Sequence, residues 1–235
     1  MPEPVAVLTG GTGGLGREVA SRLAAKNYRL AITYLIPDEA AEVEEALRLG
    51  EDRLLLRRVD GSDSEAVTAF MKQVTETFGG INVLSAMVGG WSGGRDVEDT
   101  DDVRFERMID LNLRTSFYAA RAAIPYLREA EWGRIIMIGS RSAIDAPGGQ
   151  AMYNVAKAGV IALARTIAEE IGSDEVTSNV VLPSLIDTPA FRQAVPFANY
   201  VDWPTPGEIA DVIEFLASPE SGVINGAMVP VYGRA

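Results

Sequence analysis

The chain has 235 residues, 47% of them hydrophobic and 23% charged, and its 33 acidic and 21 basic residues give a formal net charge of −12. Such acidity disfavours nucleic acid and anionic membrane as partners. The sequence contains neither Cys nor His, which excludes disulfides, thiolate and imidazole metal sites, cysteine nucleophiles and Ser-His-Asp hydrolysis, and leaves proton chemistry to Tyr, Lys, Asp, Glu or Ser.

The first residues, Met-Pro-Glu-Pro, lead into an apolar run without a basic region or cleavage site, so no secretion signal is expected. No apolar stretch approaches the length that spans a bilayer, and a cytoplasmic enzyme is expected. Short β-rich apolar runs predict strands at 5–8, 30–34, 53–59, 83–87, 134–138, 176–182 and 228–231. Amphipathic stretches between them predict helices near 14–26, 38–49, 63–79, 101–130, 150–172 and 207–217. This alternation predicts a single α/β domain, a Rossmann-like doubly wound parallel sheet of about seven strands with helices on both faces.

Between the first strand and first helix stands Thr9-Gly10-Gly11-Thr12-Gly13-Gly14-Leu15-Gly16. Glycines let a backbone turn sharply and approach a pyrophosphate, whose charge then sits at a helix N-terminus. In this βαβ context the loop predicts dinucleotide binding rather than a merely structural turn. Further on, residues 187–206 break the helical rhythm with Pro189, Pro196, Pro204 and Pro206 among Phe191, Phe197, Tyr200 and Trp203. After the sixth strand such a segment should lie at the carboxyl edge of the sheet, where open α/β folds bind ligands. It is expected to be an aromatic substrate lid, with simple packing onto the body as the alternative, and Trp91 is a further candidate for the pocket wall.

Tyr153-Asn154-Val155-Ala156-Lys157 places a phenol and an amine four residues apart, on one face of a helix. A cation beside a phenol favours the phenolate and lowers its pKa, which suits acid–base catalysis. Each candidate also has a structural alternative: Asn112 a satisfied buried amide, Ser140 a turn residue with Ser142 as its rival, Tyr153 core packing, Lys157 a solvated charge.

Together the motifs resemble the short-chain dehydrogenase/reductase family along essentially the whole chain. Thr9-Gly10-x-x-x-Gly14-x-Gly16 is similar to its nucleotide loop, and Asn112, Ser140 and Tyr153-x-x-x-Lys157 match its catalytic tetrad in order and spacing. Asp60 resembles the acid that contacts adenine, the stretch from Asn179 to Thr188 resembles the segment flanking the nicotinamide, and Asn225-Gly226 matches a turn near the C-terminus. The resemblance implies hydride transfer between NAD(P) and a carbonyl or secondary alcohol, as in 3-oxoacyl-carrier-protein reductases. Tyr153 would be the proton donor or acceptor, Lys157 would lower its pKa, Ser140 would orient the substrate oxygen, and Asn112 would anchor a relay water. The implied cofactor contacts are Thr9, Gly10, Thr12, Gly13, Gly14, Leu15 and Gly16; Tyr34; Asp60 and Gly61; Val88 and Gly89; Tyr153 and Lys157; and Pro183, Ser184, Ile186 and Thr188.

The chain departs from the family pattern where Ala86-Met87-Val88-Gly89 replaces an N-N-A-G motif and where Pro183-Ser184 replaces Pro-Gly. No acid follows the second strand until Asp38, and no arginine stands in the glycine loop, so the expectation leans narrowly to NADP over NAD. A C=N reductase of the pteridine type and a non-catalytic NAD(P)-sensing regulator are the other readings, the second disfavoured by the intact tetrad. A homo-oligomer, dimer or tetramer, is expected through the helices near 101–130 and 150–172.

Overall fold

The computed structural model describes residues 3–172, 175–188, 191–192 and 202–234. Seven parallel strands form one sheet: β1 (Val5–Thr9), β2 (Arg29–Tyr34), β3 (Leu54–Arg58), β4 (Val83–Ala86), β5 (Gly133–Ile138), β6 (Val176–Pro183) and β7 (Met228–Val231), in spatial order β3-β2-β1-β4-β5-β6-β7. Successive side chains point to opposite faces. Val5 and Val7 therefore join one core layer and Ala6 and Leu8 the other. Every residue of β1, β4, β5 and β6 is buried because helices cover both faces, and that is why these strands read as unbroken apolar runs.

One face carries α3 (Ser64–Phe78), α5 (Thr115–Glu129) and α7 (Ala151–Glu170). The other carries α1 (Gly14–Ala25), α2 (Pro37–Leu47) and α8 (Pro206–Leu216). The short α4 (Asp102–Ile109) and α6 (Ser142–Asp145) lie beside α7. The chain leaves β1 towards β2 on one side and reaches β4 on the other, so a crevice opens above the carboxyl ends of β1 and β4.

Strands and helices fall close to their predicted positions, with one informative exception. The helix expected over 101–130 is interrupted: Asp110–Arg114 winds as a π-turn between α4 and α5. Its cause is Asn112, fully buried, whose side-chain amide donates to the Met108 carbonyl and so competes with the helix for that acceptor. Beyond β6, Asn179 donates to the Ile224 carbonyl and accepts from the Ala227 N–H, while Asn225 donates to the Ala168 carbonyl and accepts from the Ser178 N–H. These two amides tie β6, α7 and β7 together beneath the site.

Candidate active site

At the end of β1 the buried Thr9 leads into Gly10, whose φ of +71° and close approach to the Val88 amide require a residue without a side chain: a Cβ there would lie 3.0 Å from Val88 N. Gly16, in the first turn of α1, is held as tightly, since a Cβ would meet the Gly10 carbonyl oxygen at 2.4 Å. The helix therefore begins flush against the loop. Its N-cap is Gly13, with no side-chain cap and no acid in the first turn, so the initial N–H groups remain available to an anion. Leu15 packs inward on the α1 face, and Thr188 stands against Gly14, its methyl 3.2 Å from where a Cβ would be.

A cavity of 890 Å³ runs along this loop. Gly10, Thr12, Gly13, Tyr34, Asp60, Gly61, Val88 and Gly89 all line it, so the structure gathers these predicted cofactor residues into one groove. Asp60 accepts from the Ser62 hydroxyl at 2.7 Å and the Ser62 N–H at 2.9 Å, bonds that hold its carboxyl below the usual range. A second cavity, of 780 Å³, opens at the opposite edge of the sheet beside Tyr28, Asn82 and Trp132, far from any of these residues.

The predicted tetrad lies beside the groove as two pairs, none of its members lining the cavity itself: Asn112 and Lys157 approach Gly89, and Ser140 meets Tyr153. Asn112 accepts from the Gly90 N–H at 3.1 Å and donates to the Gly90 carbonyl at 3.0 Å, clamping the loop after β4. Gly89 is the meeting point: a Cβ there would fall 2.9 Å from Asn112 Oδ1 and 3.1 Å from Lys157 Nζ. Ser140, buried after β5, accepts from the Ser142 N–H at 3.1 Å and hydrogen-bonds the Tyr153 phenol. Ser142 thus enters through its backbone, as the support of Ser140.

One expectation needs correction. The Tyr153 phenol is not lowered: burial raises its pKa, and the Ser140 hydroxyl only partly opposes this. Lys157, 4% exposed, donates to the Ile138 carbonyl at 2.8 Å, and burial depresses its own pKa from 10.5 to about 8. A lysine whose charge is itself disfavoured, and whose bond goes to a carbonyl, does not overcome the desolvation of the phenol. The Tyr153 phenol is consequently protonated at neutral pH.

The loop after β6 divides. Ser184 donates its hydroxyl to the Tyr232 carbonyl at 2.9 Å, the Pro183 carbonyl accepts from the Arg141 N–H at 2.8 Å, and Ile186 packs into the core. Of this group Thr188 is the one brought against the glycine loop. In the expected lid, the Phe191 ring meets Trp91 edge-on at 6.2 Å and Trp203 at 5.5 Å, and the Trp91 indole donates to Gln150. Pro189, Pro196, Phe197 and Tyr200 lie outside the described residues. Two participants escaped the sequence reading: Gln150, and Glu39 in the first turn of α2, which accepts a hydrogen bond from the Thr12 hydroxyl at 2.9 Å and lines the groove. Among the described residues no cluster of acids could hold a metal, and no helix is long and apolar enough to cross a membrane.

A doubly wound parallel sheet with a glycine-rich β1–α1 loop at its switch point is the architecture of the dinucleotide-binding class of α/β proteins. Residues 10–233 match the family described as enoyl-(acyl carrier protein) reductase. The 3-oxoacyl-[acyl-carrier-protein] reductase MabA of Mycobacterium tuberculosis is 35% identical over 238 residues, covering 97% of this chain and 90% of its own. Versicolorin reductase stcU of Emericella nidulans is 32% identical over 254 residues, covering 98% and 95%. The crystal structure of carveol dehydrogenase from Mycobacterium avium in complex with NAD superimposes with a TM-score of 0.91 at 25% identity, covering 99% of this chain and 97% of that one. The protein belongs to the short-chain dehydrogenase/reductase family and is an oxidoreductase.

Proposed function

We propose that the protein interconverts a carbonyl and a secondary alcohol with a nicotinamide dinucleotide, using Tyr153, Ser140, Lys157 and Asn112. The carrying observation is that the hydrogen-bonded Ser140–Tyr153 pair stands at the same sheet edge as the glycine loop, with Lys157 and Asn112 converging on Gly89 beside it. The groove fits the cofactor: bare backbone at Gly10 and Gly13 leaves room for a pyrophosphate, the open start of α1 attracts its charge, and Asp60 offers an acceptor for an adenine amino group. Thr9, Gly14, Gly16 and Thr188 would frame the pyrophosphate end, and Val88 and Gly89 the ribose leading to the nicotinamide. When bound, the nicotinamide would supply hydride to the carbonyl carbon or accept it from the alcohol.

The protein's own part is to hold and protonate oxygen. Ser140 and Tyr153 would both hydrogen-bond the carbonyl oxygen, and Tyr153 would release its proton as negative charge grows there. The Lys157 ammonium, present below about pH 8, would favour the resulting phenolate. Asn112 Oδ1 keeps a lone pair beyond its bond to Gly90 and would hold a water through which protons return. Trp91, Phe191 and Trp203 would wall the substrate pocket, a setting for an apolar or cyclic small molecule. NAD and NADP both fall within this reading; one solved relative is complexed with NAD. A cytoplasmic homo-oligomer acting on small molecules, without nucleic-acid or membrane partners, completes it.

The test follows nicotinamide absorbance with NADH and NADPH over a panel of ketones, acyl thioesters and pterins. Wild-type protein should turn over at least one carbonyl compound, and Tyr153→Phe should lose on the order of a hundred-fold or more while binding the cofactor normally. Near-normal turnover by Tyr153→Phe would remove the tyrosine from its role. Tight cofactor binding without turnover of any compound would point to a sensor.

A further inference from the structure

Resting on the nicotinamide-dinucleotide reading above, we propose that Glu39 is the residue that reads the adenosine ribose, accepting a hydrogen bond from its 2′-hydroxyl and excluding a 2′-phosphate, so that the protein prefers NAD(H). The second strand of such folds commonly ends in an acid with this task. Here β2 ends in Tyr34, followed by the exposed Leu35 and Ile36, none of which carries charge. The carboxylate instead comes from α2, folded back across the mouth of the groove.

Three observations place it there. The pyrophosphate end of the groove is the glycine loop and the adenine end is Asp60 with Gly61, so the ribose must lie between them, alongside Thr12, Tyr34 and Glu39. Thr12, only 4% exposed, donates its hydroxyl to Glu39 Oε2 at 2.9 Å, which pins the carboxylate to the phosphate loop across 27 residues of sequence. Among the described residues, Oε1 has no hydrogen-bond partner, and it remains available to a ribose hydroxyl. A glutamate at this helix position would ordinarily be read as complementing the helix dipole. The bond to Thr12 shows that the side chain reaches away from its own helix and into the cofactor groove.

Of the basic residues around it, Arg58 stands on β3 in register with Tyr34 but does not line the groove, and Arg17 is engaged. Arg17 donates Nε to the Thr12 carbonyl at 2.7 Å and pairs with Glu42 at 2.5 Å. Among the described residues, Arg107 on α4 is the one basic residue lining the cavity, against the carboxylates of Glu39, Asp60, Asp102, Glu106 and Asp110, the last paired with Arg114. A 2′-phosphate would therefore enter a field of its own sign, with Glu39 in contact range. The earlier lean to NADP rested on the missing acid at the end of β2, and α2 supplies that acid.

The experiment is a pair of fluorescence titrations, NADH and NADPH binding to the full-length protein without substrate. Wild-type protein should bind NADH at least about ten-fold more tightly. Glu39→Gln should bring the two affinities within about three-fold, mainly by tightening NADPH as the like-charge repulsion disappears. Thr12→Val should loosen the carboxylate and shrink the preference, whereas Thr12→Ser, which keeps the hydroxyl, should restore it. A preference unchanged in Glu39→Gln, or NADPH bound as tightly as NADH by the wild type, overturns the assignment and leaves the oxidoreductase reading standing. Binding of neither cofactor overturns both.

Discussion

Lys157 is buried where its charge is disfavoured, and its effect on folding should be measurable. Its folded pKa is about 8, against 10.5 in its ordinary state, and the cause is burial. Between those pH values the unfolded chain binds the proton and the folded chain does not, so stability rises with pH across the window. Below pH 8 both states are protonated and the full penalty is present, on the order of 3 kcal/mol. Lys157→Met removes the charge at similar length but leaves the Ile138 carbonyl unpaired, a loss of about 1 to 2 kcal/mol. The variant should thus be more stable than wild type by about 1 to 2 kcal/mol at pH 7. The gap should close and then reverse between pH 8 and 10.5, as wild type sheds the penalty while the variant keeps its unpaired carbonyl, and turnover should be lost throughout. Urea melts of both proteins at pH 7 and pH 9.5 check this; a variant less stable than wild type at pH 7, or a gap that ignores pH, would contradict it. Such a penalty is what the catalytic role proposed for Lys157 would lead one to expect.

At the scale of elements, the glycine loop offers a contrast between positions that the sequence shows as alike. A Cβ on Gly16 would strike the Gly10 carbonyl at 2.4 Å and Gly11 Cα at 2.6 Å, both backbone, so either α1 or the loop must shift. At Gly13 the nearest atom is 3.6 Å away and φ is −71°. Gly16→Ala should cost about 1 to 3 kcal/mol and weaken nucleotide binding sharply, while Gly13→Ala should cost less than about 1 kcal/mol. Equal melting temperatures for the two variants would show that the helix does not need its close seat on the loop. The strands and most helices were legible because burial on both faces writes continuous apolar runs, and the candidate tetrad was named from its resemblance to a family pattern, with only the Tyr153–Lys157 spacing following from one helical turn. The π-turn at Asp110–Arg114 was not legible: the apolar period continues through it, and its cause is one amide finding a carbonyl four residues back. Glu39 was hidden for a related reason, since its partner Thr12 lies on another element and only the folded chain brings them together. The direction of the Tyr153 pKa was misjudged because a motif gives the spacing of two groups but not their desolvation.

The whole molecule leaves one surface unaccounted for. Phe105 on α4, Phe117 on α5 and Val155 on α7 expose between 40% and 52% of their surface, on helices packed on or beside the sheet face opposite α1 and α8. Arg121 stacks over both Phe117 and Tyr118, at 5.1 and 4.9 Å from the ring centres, which shields part of this apolar area with a guanidinium. Scattered apolar residues need no partner, but several on adjoining helices suit a self-complementary contact about a two-fold axis. The expected state is a dimer or tetramer associating through these helices. Each copy carries a net charge of −12, so association must work against repulsion that salt screens. Size-exclusion chromatography with light scattering should therefore show a multimer at micromolar concentration that strengthens as ionic strength rises. Val155→Glu, which puts a carboxylate on the outer face of α7 while Tyr153 and Lys157 face inward, should shift the population towards monomer. A wild-type monomer at every salt concentration would mean that the exposed side chains are ordinary surface and that each chain works alone.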